Sequence, residues 1–131
     1  MDTLEKYILE VEEDTTFDRL TVSDKQMKLP GIKHKWAARI IHHRKQIYKL
    51  KDLKLAAKEK IIADIIKEAK VTLTTPVLEK KAEQNLLVKK VRNQIRDEEL
   101  IVLYLEKVEK ILHSTSFDMR NLADLMKLEE L

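Results

Sequence analysis

The chain has 131 residues, of which 37% are charged and 5% aromatic, and its formal net charge is +3. One glycine and two prolines leave little material for tight turns, so the composition predicts an all-α protein. The absence of cysteine excludes disulfides, thiolate metal sites and thiol catalysis. No segment reaches the roughly 18 apolar residues of a membrane span, so we expect neither export nor membrane insertion.

Acidic and basic residues are segregated along the chain. Residues 1–24 carry a net charge of −6, residues 25–70 carry +10, residues 71–96 carry +4 and residues 97–131 carry −5. Segregation of this kind favours a directed electrostatic role over simple solubility.

The first predicted helix runs from about Asp2 to Glu13 and places Leu4, Ile8 and Val11 on one face. After a polar connector, Pro30-Gly31 is the strongest helix-breaking signal in the chain. It predicts that a long basic helix begins there and spans about residues 31–70.

Thr75 followed by Pro76 is a helix start, with threonine as the N-cap and proline at the first helical position. It predicts a second long helix over about residues 75–113, ended by the polar triplet at 114–116. A short C-terminal helix over about 117–131 follows. Two long helices joined by a short break are expected to form an antiparallel hairpin within a single domain, residues 1–131.

The basic helix carries two apolar stripes on a helical wheel. The first, which we expect to face the core, comprises Trp36, Ile40, His43, Ile47, Leu50, Ala57, Ile61 and Ile65. The second comprises Ala37, Ile41, Tyr48, Leu55, Ile62 and Ile66. Two stripes need two packing partners, and the second partner is either a terminal helix or another subunit.

Cationic residues occupy the side of this helix opposite the core stripe, and such a track suits phosphates because binding releases condensed counterions. The candidate DNA-binding residues are Lys33, Lys35, Arg39, Arg44, Lys45, Lys49, Lys51, Lys54, Lys58 and Lys60. Arg44, Lys51 and Lys58 lie between the two apolar stripes and could instead edge a subunit interface. Trp36 is expected in the core, whereas Tyr48 is equally compatible with packing and with stacking on a base.

Catalytic and metal-binding motifs are missing from the sequence. The four histidines lack metal-ligand spacing, and a single glycine excludes phosphate-cradling glycine loops. We therefore expect no metal, no cofactor and no enzymatic activity.

The order of several residues resembles the UvsY-type recombination mediators of T4-like bacteriophages. The residues that carry this resemblance are Leu4-Glu5, Glu10, Asp14, Asp18, Lys35-Trp36, Ile47, Lys49, Lys54, Ala57, Phe117, Met119-Arg120 and Leu122. The resemblance implies a ring-like homo-oligomer of about six or seven subunits in the cytoplasm of an infected bacterium. It also implies binding to single-stranded DNA and loading of the phage recombinase onto strands covered by the phage single-strand-binding protein.

The resemblance further assigns roles to particular positions. Lys58-Glu59-Lys60 corresponds to a Lys-x-Arg pair tied to DNA binding in that family, with lysine in place of arginine. Self-association in the family is mediated by the C-terminal segment, which here contains Phe117, Leu122, Leu125 and Met126.

Two other functions fit the same residues. The protein could be a helical adaptor whose basic helix docks on an acidic protein surface, including the acidic ends of this chain. A membrane-surface helix is disfavoured because aromatic residues are sparse and the apolar faces are needed for packing.

Overall fold

The computed structural model describes residues 1–130, which contain four helices and no strand. They are α1 (Thr3–Thr15), α2 (Val22–Glu68), α3 (Thr75–Glu83) and α4 (Leu86–Glu129). The all-α prediction is confirmed. Leu131, the last residue of the predicted C-terminal helix, lies outside the described residues.

The chain divides into two compact units, where the sequence predicted one domain. Unit 1 contains residues 1–42 and 101–130, and unit 2 contains residues 43–100. In unit 2, His43 pairs with Glu98 whereas Lys54, further along α2, pairs with Glu83. Because Glu83 ends α3 and Glu98 lies in α4, the order of these contacts shows that the chain of α3 and α4 returns antiparallel to α2, as the hairpin prediction requires.

Helix α1 is defined by its N-terminal cap and by one buried stripe. Asp2 accepts a hydrogen bond from the Glu5 backbone N–H at 2.8 Å, and Glu5 returns the contact in a capping box. Val11 is buried and Leu4 packs against the core, as predicted, but Ile8 is exposed and Tyr7 takes the predicted core position.

The core of unit 1 contains the predicted Trp36 and Ile40, both almost completely buried. The other buried members are Val11, Val22, Leu29, Ile101, Leu105, Val108, Leu112 and Met119. In unit 2, His43 and Ile47 are buried and the remaining predicted stripe is half-buried. The core face of α2 was therefore correctly predicted.

The predicted break at Pro30-Gly31 is wrong, because α2 begins at Val22 and passes through both residues. Val22, Leu29 and Trp36 follow one another at seven-residue steps and are all buried. Each buried side chain of this kind contributes about 1.5–3 kcal/mol, which together outweighs the cost of about 3 kcal/mol for an interior proline.

The predicted helices after Pro76 also differ from the structure. The segment predicted as one helix over 75–113 is divided after Glu83, and Asn85 accepts the Leu87 backbone N–H at 2.9 Å to start α4. The N-cap of α3 is Thr74.

The prediction of a separate C-terminal helix over 117–131 is also wrong, because α4 continues through residues 114–116 to Glu129. Leu112, Thr115 and Met119 are buried at the spacing of one helix face. Packing on both sides of the polar triplet keeps it helical.

Candidate nucleic-acid interface

The two units carry opposite net charge. Unit 2 contains fifteen Lys and Arg against nine Asp and Glu, a net charge of +6. Unit 1 contains eleven against fourteen, a net charge of −3. An anionic ligand is therefore attracted chiefly to unit 2.

In unit 1, two predicted DNA-binding residues are bound to α1. Lys35 Nζ lies 2.7 Å from Asp14 Oδ2, which also accepts the Trp36 indole N–H at 2.8 Å. The guanidinium of Arg39 pairs with Glu10. Its central carbon lies 4.9 Å from the ring centre of Tyr7 and 4.6 Å from that of Trp36. Both cations stabilise the docking of α1 on α2.

In unit 2, two more predicted residues are bound to α3. Lys58 Nζ lies 2.7 Å from Glu79 and 2.9 Å from Glu83, and Lys54 lies 3.6 Å from Glu83. The hydrogen bonds that Lys58 donates to Glu79 and Glu83 raise the pKa of Lys58, and the one to Glu83 lowers the pKa of Glu83. Arg92 of α4 joins the cluster at 3.4 Å from Glu83.

Four lysines of α2 in unit 2 form what we call the lysine row. All four are exposed and make no ion pair with the described part of the chain: Lys45, Lys49, Lys60 and Lys67. On a helical wheel they fall within about 60° of one another and extend along about 33 Å of helix axis. Three of them were predicted sites, and Lys67 belongs to the same face.

The other predicted cations lie elsewhere on α2. Lys33, Arg44 and Lys51 are exposed, and on the helical wheel they fall on the side away from the lysine row. Site prediction also missed exposed cations on α3 and α4 of unit 2, namely Lys80, Lys81, Lys89, Lys90 and Arg96. The net charge of +4 in residues 71–96 was the signal for them.

Most of the second apolar stripe of α2 is exposed in the described chain. Tyr48 is 65% exposed, Leu55 58% and Ile66 58%, whereas Ile62 is half-buried. Tyr48 lies one helical turn from Lys45 and next to Lys49, so an aromatic ring flanks the lysine row. These exposed stripe residues are not covered by any helix of the described chain.

The four predicted self-association residues divide into two pairs. Phe117 is 59% exposed and Leu125 47% exposed. Leu122 and Met126 pack against the core of unit 1. The first pair is therefore the more exposed, and the second is half-buried.

Within residues 1–130, the remaining polar groups include one buried histidine–carboxylate pair. His43 is buried, and its Nδ1 lies 2.5 Å from Glu98 Oε2. The described residues contain no cluster of three side chains suited to holding a metal ion. None of the helices among these residues has the length and apolar character needed to cross a membrane.

These features define an all-α protein with a basic unit and an acidic unit, and with exposed lysines on one helix side. No family model matches the chain, and no curated protein matches it. Solved structures, in contrast, match the chain. A crystal structure of the bacteriophage T4 recombination mediator protein UvsY aligns with a TM-score of 0.82 and 14% identity, covering 98% of this chain and 99% of that one.

A second crystal form of the same T4 protein aligns with a TM-score of 0.77 and 12% identity, again over 98% and 99% of the two chains. At this identity the likeness establishes the fold, and it does so over nearly the whole length of both chains. The resemblance found in the sequence is thus confirmed as a shared fold.

Proposed function

We propose that this protein is a recombination mediator without catalytic activity. In this proposal it binds single-stranded DNA and promotes loading of a phage recombinase onto strands covered by single-strand-binding protein. The observation that carries DNA binding is the lysine row, which is exposed and unpaired in a unit of net charge +6. The shared fold with T4 UvsY supports the mediator role.

The lysine row suits a single strand for electrostatic and geometric reasons. Each neutralised phosphate of a single strand changes the slope of log affinity against log salt by about −0.7, so four contacts give a slope near −3. Stacking of a base on an exposed aromatic ring adds about 1–3 kcal/mol without reading sequence. Tyr48, beside Lys45 and Lys49, is placed for that contact.

The other proposed partners follow from the same role. The recombinase and the single-strand-binding protein meet the mediator on DNA, and a homo-oligomer would repeat the lysine row around a bound strand. Exposed apolar residues, among them Phe117 and Leu125, provide surface for self-association. The cytoplasm of an infected bacterium is where this function would operate.

Binding can be tested with a fluorescent oligothymidylate by anisotropy. We expect the triple variant K45A/K49A/K60A to bind at least about tenfold more weakly and to flatten the salt slope by about 2. The matched control K6A/K107A/K127A removes three exposed lysines from unit 1, and we expect it to bind within about twofold of the unmodified protein. Failure of the unmodified protein to bind at low salt, or equal loss in both variants, would overturn the proposal.

A second candidate function is a helical adaptor that docks its basic helix on an acidic protein. It is favoured by one observation: Lys35, Arg39, Lys54 and Lys58 already bind carboxylates of this chain. Pull-downs before and after nuclease treatment distinguish the two. The mediator loses its DNA-dependent partners after nuclease, whereas an adaptor retains them.

A further inference from the structure

A cavity of about 430 Å³ lies between α2 and α4 in unit 1. Its lining residues are Gln26, Leu29, Pro30, Lys33, Ser116 and Arg120. It is large enough for a ligand of nucleotide size, since ligand pockets begin at about 300 Å³.

The two cations of this cavity are not neutralised by the chain. In unit 1, Arg19, Lys28, Lys35 and Arg39 each have a carboxylate partner, and Lys25 donates to the Glu13 carbonyl at 2.8 Å. Lys33 and Arg120 have no such partner among the described residues, as is also true of Lys6, Lys107, Lys110 and Lys127. Lys33 and Arg120 differ from those four because they line the same cavity. Two like charges lining one cavity repel each other, and a bound anion would remove that repulsion.

Neutral hydrogen-bonding groups complete the lining. Ser116 brings a hydroxyl and Gln26 an amide, and both residues are half-buried. Pro30 lacks a backbone N–H, so the Gln26 carbonyl receives no hydrogen bond from the residue four positions later.

We propose that this cavity is a phosphate-binding site. The guanidinium fork of Arg120 binds two phosphate oxygens, Lys33 adds a compact positive charge, and the Ser116 hydroxyl donates a further hydrogen bond. Leu29 and Pro30 form an apolar wall for whatever carries the phosphate. The phosphate is either that of a free nucleotide or phosphate ion, or that of a DNA strand, and only the latter rests on the function proposed above.

Phosphorus-31 NMR of inorganic phosphate at constant ionic strength tests the site in the full chain, because binding to a slowly tumbling protein broadens the phosphate line. We expect K33Q/R120Q to bind phosphate about tenfold more weakly than the unmodified protein. The control K28Q/K127Q removes the same charge from unit 1 outside the cavity, and it should retain the broadening. R120K keeps the charge but loses the fork, and it should be weakened by about threefold.

A second measurement separates the two sources of phosphate. If a DNA strand occupies the site, K33Q/R120Q reduces the salt slope of oligothymidylate binding by about 1.4 relative to the control. If the slope is unchanged while phosphate broadening is lost, the ligand is a free phosphate or nucleotide. If K33Q/R120Q changes neither the phosphate broadening nor the salt slope, the proposed site is overturned. Absence of all DNA binding by the unmodified protein would overturn the proposed function, while the phosphate measurement would still decide on the cavity.

Discussion

Arg39 shows at the residue scale how one side chain can serve structure instead of ligand binding. Its guanidinium contacts the rings of both Tyr7 and Trp36 and pairs with Glu10. We expect R39K to lower the free energy of unfolding by about 1–2 kcal/mol, because lysine keeps the charge but loses the fork and the stacking. Urea unfolding followed by circular dichroism measures the change.

The same variant separates stability from DNA binding, since the charge is retained. Single-strand affinity of R39K should stay within about twofold of the unmodified protein when both are folded. R96K is the matched control, because Arg96 is an exposed arginine of unit 2, and it should leave stability unchanged. An R39K protein as stable as R96K would show that the stacked arrangement contributes nothing.

Helix α3 illustrates ion pairing at the scale of an element, and its contacts respond to pH. The pKa of Glu83 is lowered mainly by the hydrogen bond from Lys58, so its contribution to stability is present above the ordinary value of 4.5 and is lost as pH falls below it. The pKa of Lys58 is raised, so its contribution is present below 10.5 and is lost as pH rises through the higher folded value. We expect the hydrogen-exchange protection of α3 to be greatest between these limits.

Amide exchange of residues 75–83 at pH 4 and pH 7 measures this effect. E83Q should abolish most of the difference and lower the local opening free energy at pH 7 by about 1 kcal/mol, since the carboxylate is partly exposed to solvent. E99Q, a change at an exposed glutamate of α4 in unit 2, is the control. An identical pH response in E83Q and the unmodified protein would mean that α3 is held by its apolar contacts alone.

Helix boundaries show which part of the fold the sequence could predict. Periodicity identified the core face of α2, because Trp36, Ile40 and His43 repeat at helical spacing whatever surrounds them. It placed the breaks wrongly at Pro30 and Ser114, because local signals do not include the burial of Leu29 and Met119 on the other side of each break. Tertiary packing overrides local propensity at such points.

The candidate site was predictable to a similar extent. Charge and periodicity placed Lys45, Lys49 and Lys60 on one side of a helix. They could not show that Lys35 and Lys58 pair with carboxylates 21 residues away along the chain. Such pairing depends on how α1 and α3 dock on α2. Helical periodicity does not continue across the connectors, so a single sequence does not reveal this docking.

At the scale of the whole molecule, the apolar residues left on the surface bear on self-association. Deleting residues 117–131 would be a poor test, because it removes Met119, which is fully buried in the core. Phe117 and Leu125 are exposed, so the double variant F117S/L125S removes apolar surface without opening a cavity. An effect of this variant on assembly can therefore be distinguished from an effect on folding.

We expect F117S/L125S to sediment as smaller species than the unmodified protein at the same concentration, with unchanged helical content. Burial of one aromatic or leucine side chain in a subunit contact stabilises that contact by about 1.5–3 kcal/mol. Removing two of them is therefore enough to shift the association equilibrium several hundredfold. L20S/M27S is the control, since Leu20 and Met27 are also strongly exposed in unit 1, and it should sediment normally. Unchanged mass in F117S/L125S would exclude these residues from the subunit interface and leave the exposed stripe of Tyr48, Leu55 and Ile66 as the surface to test next.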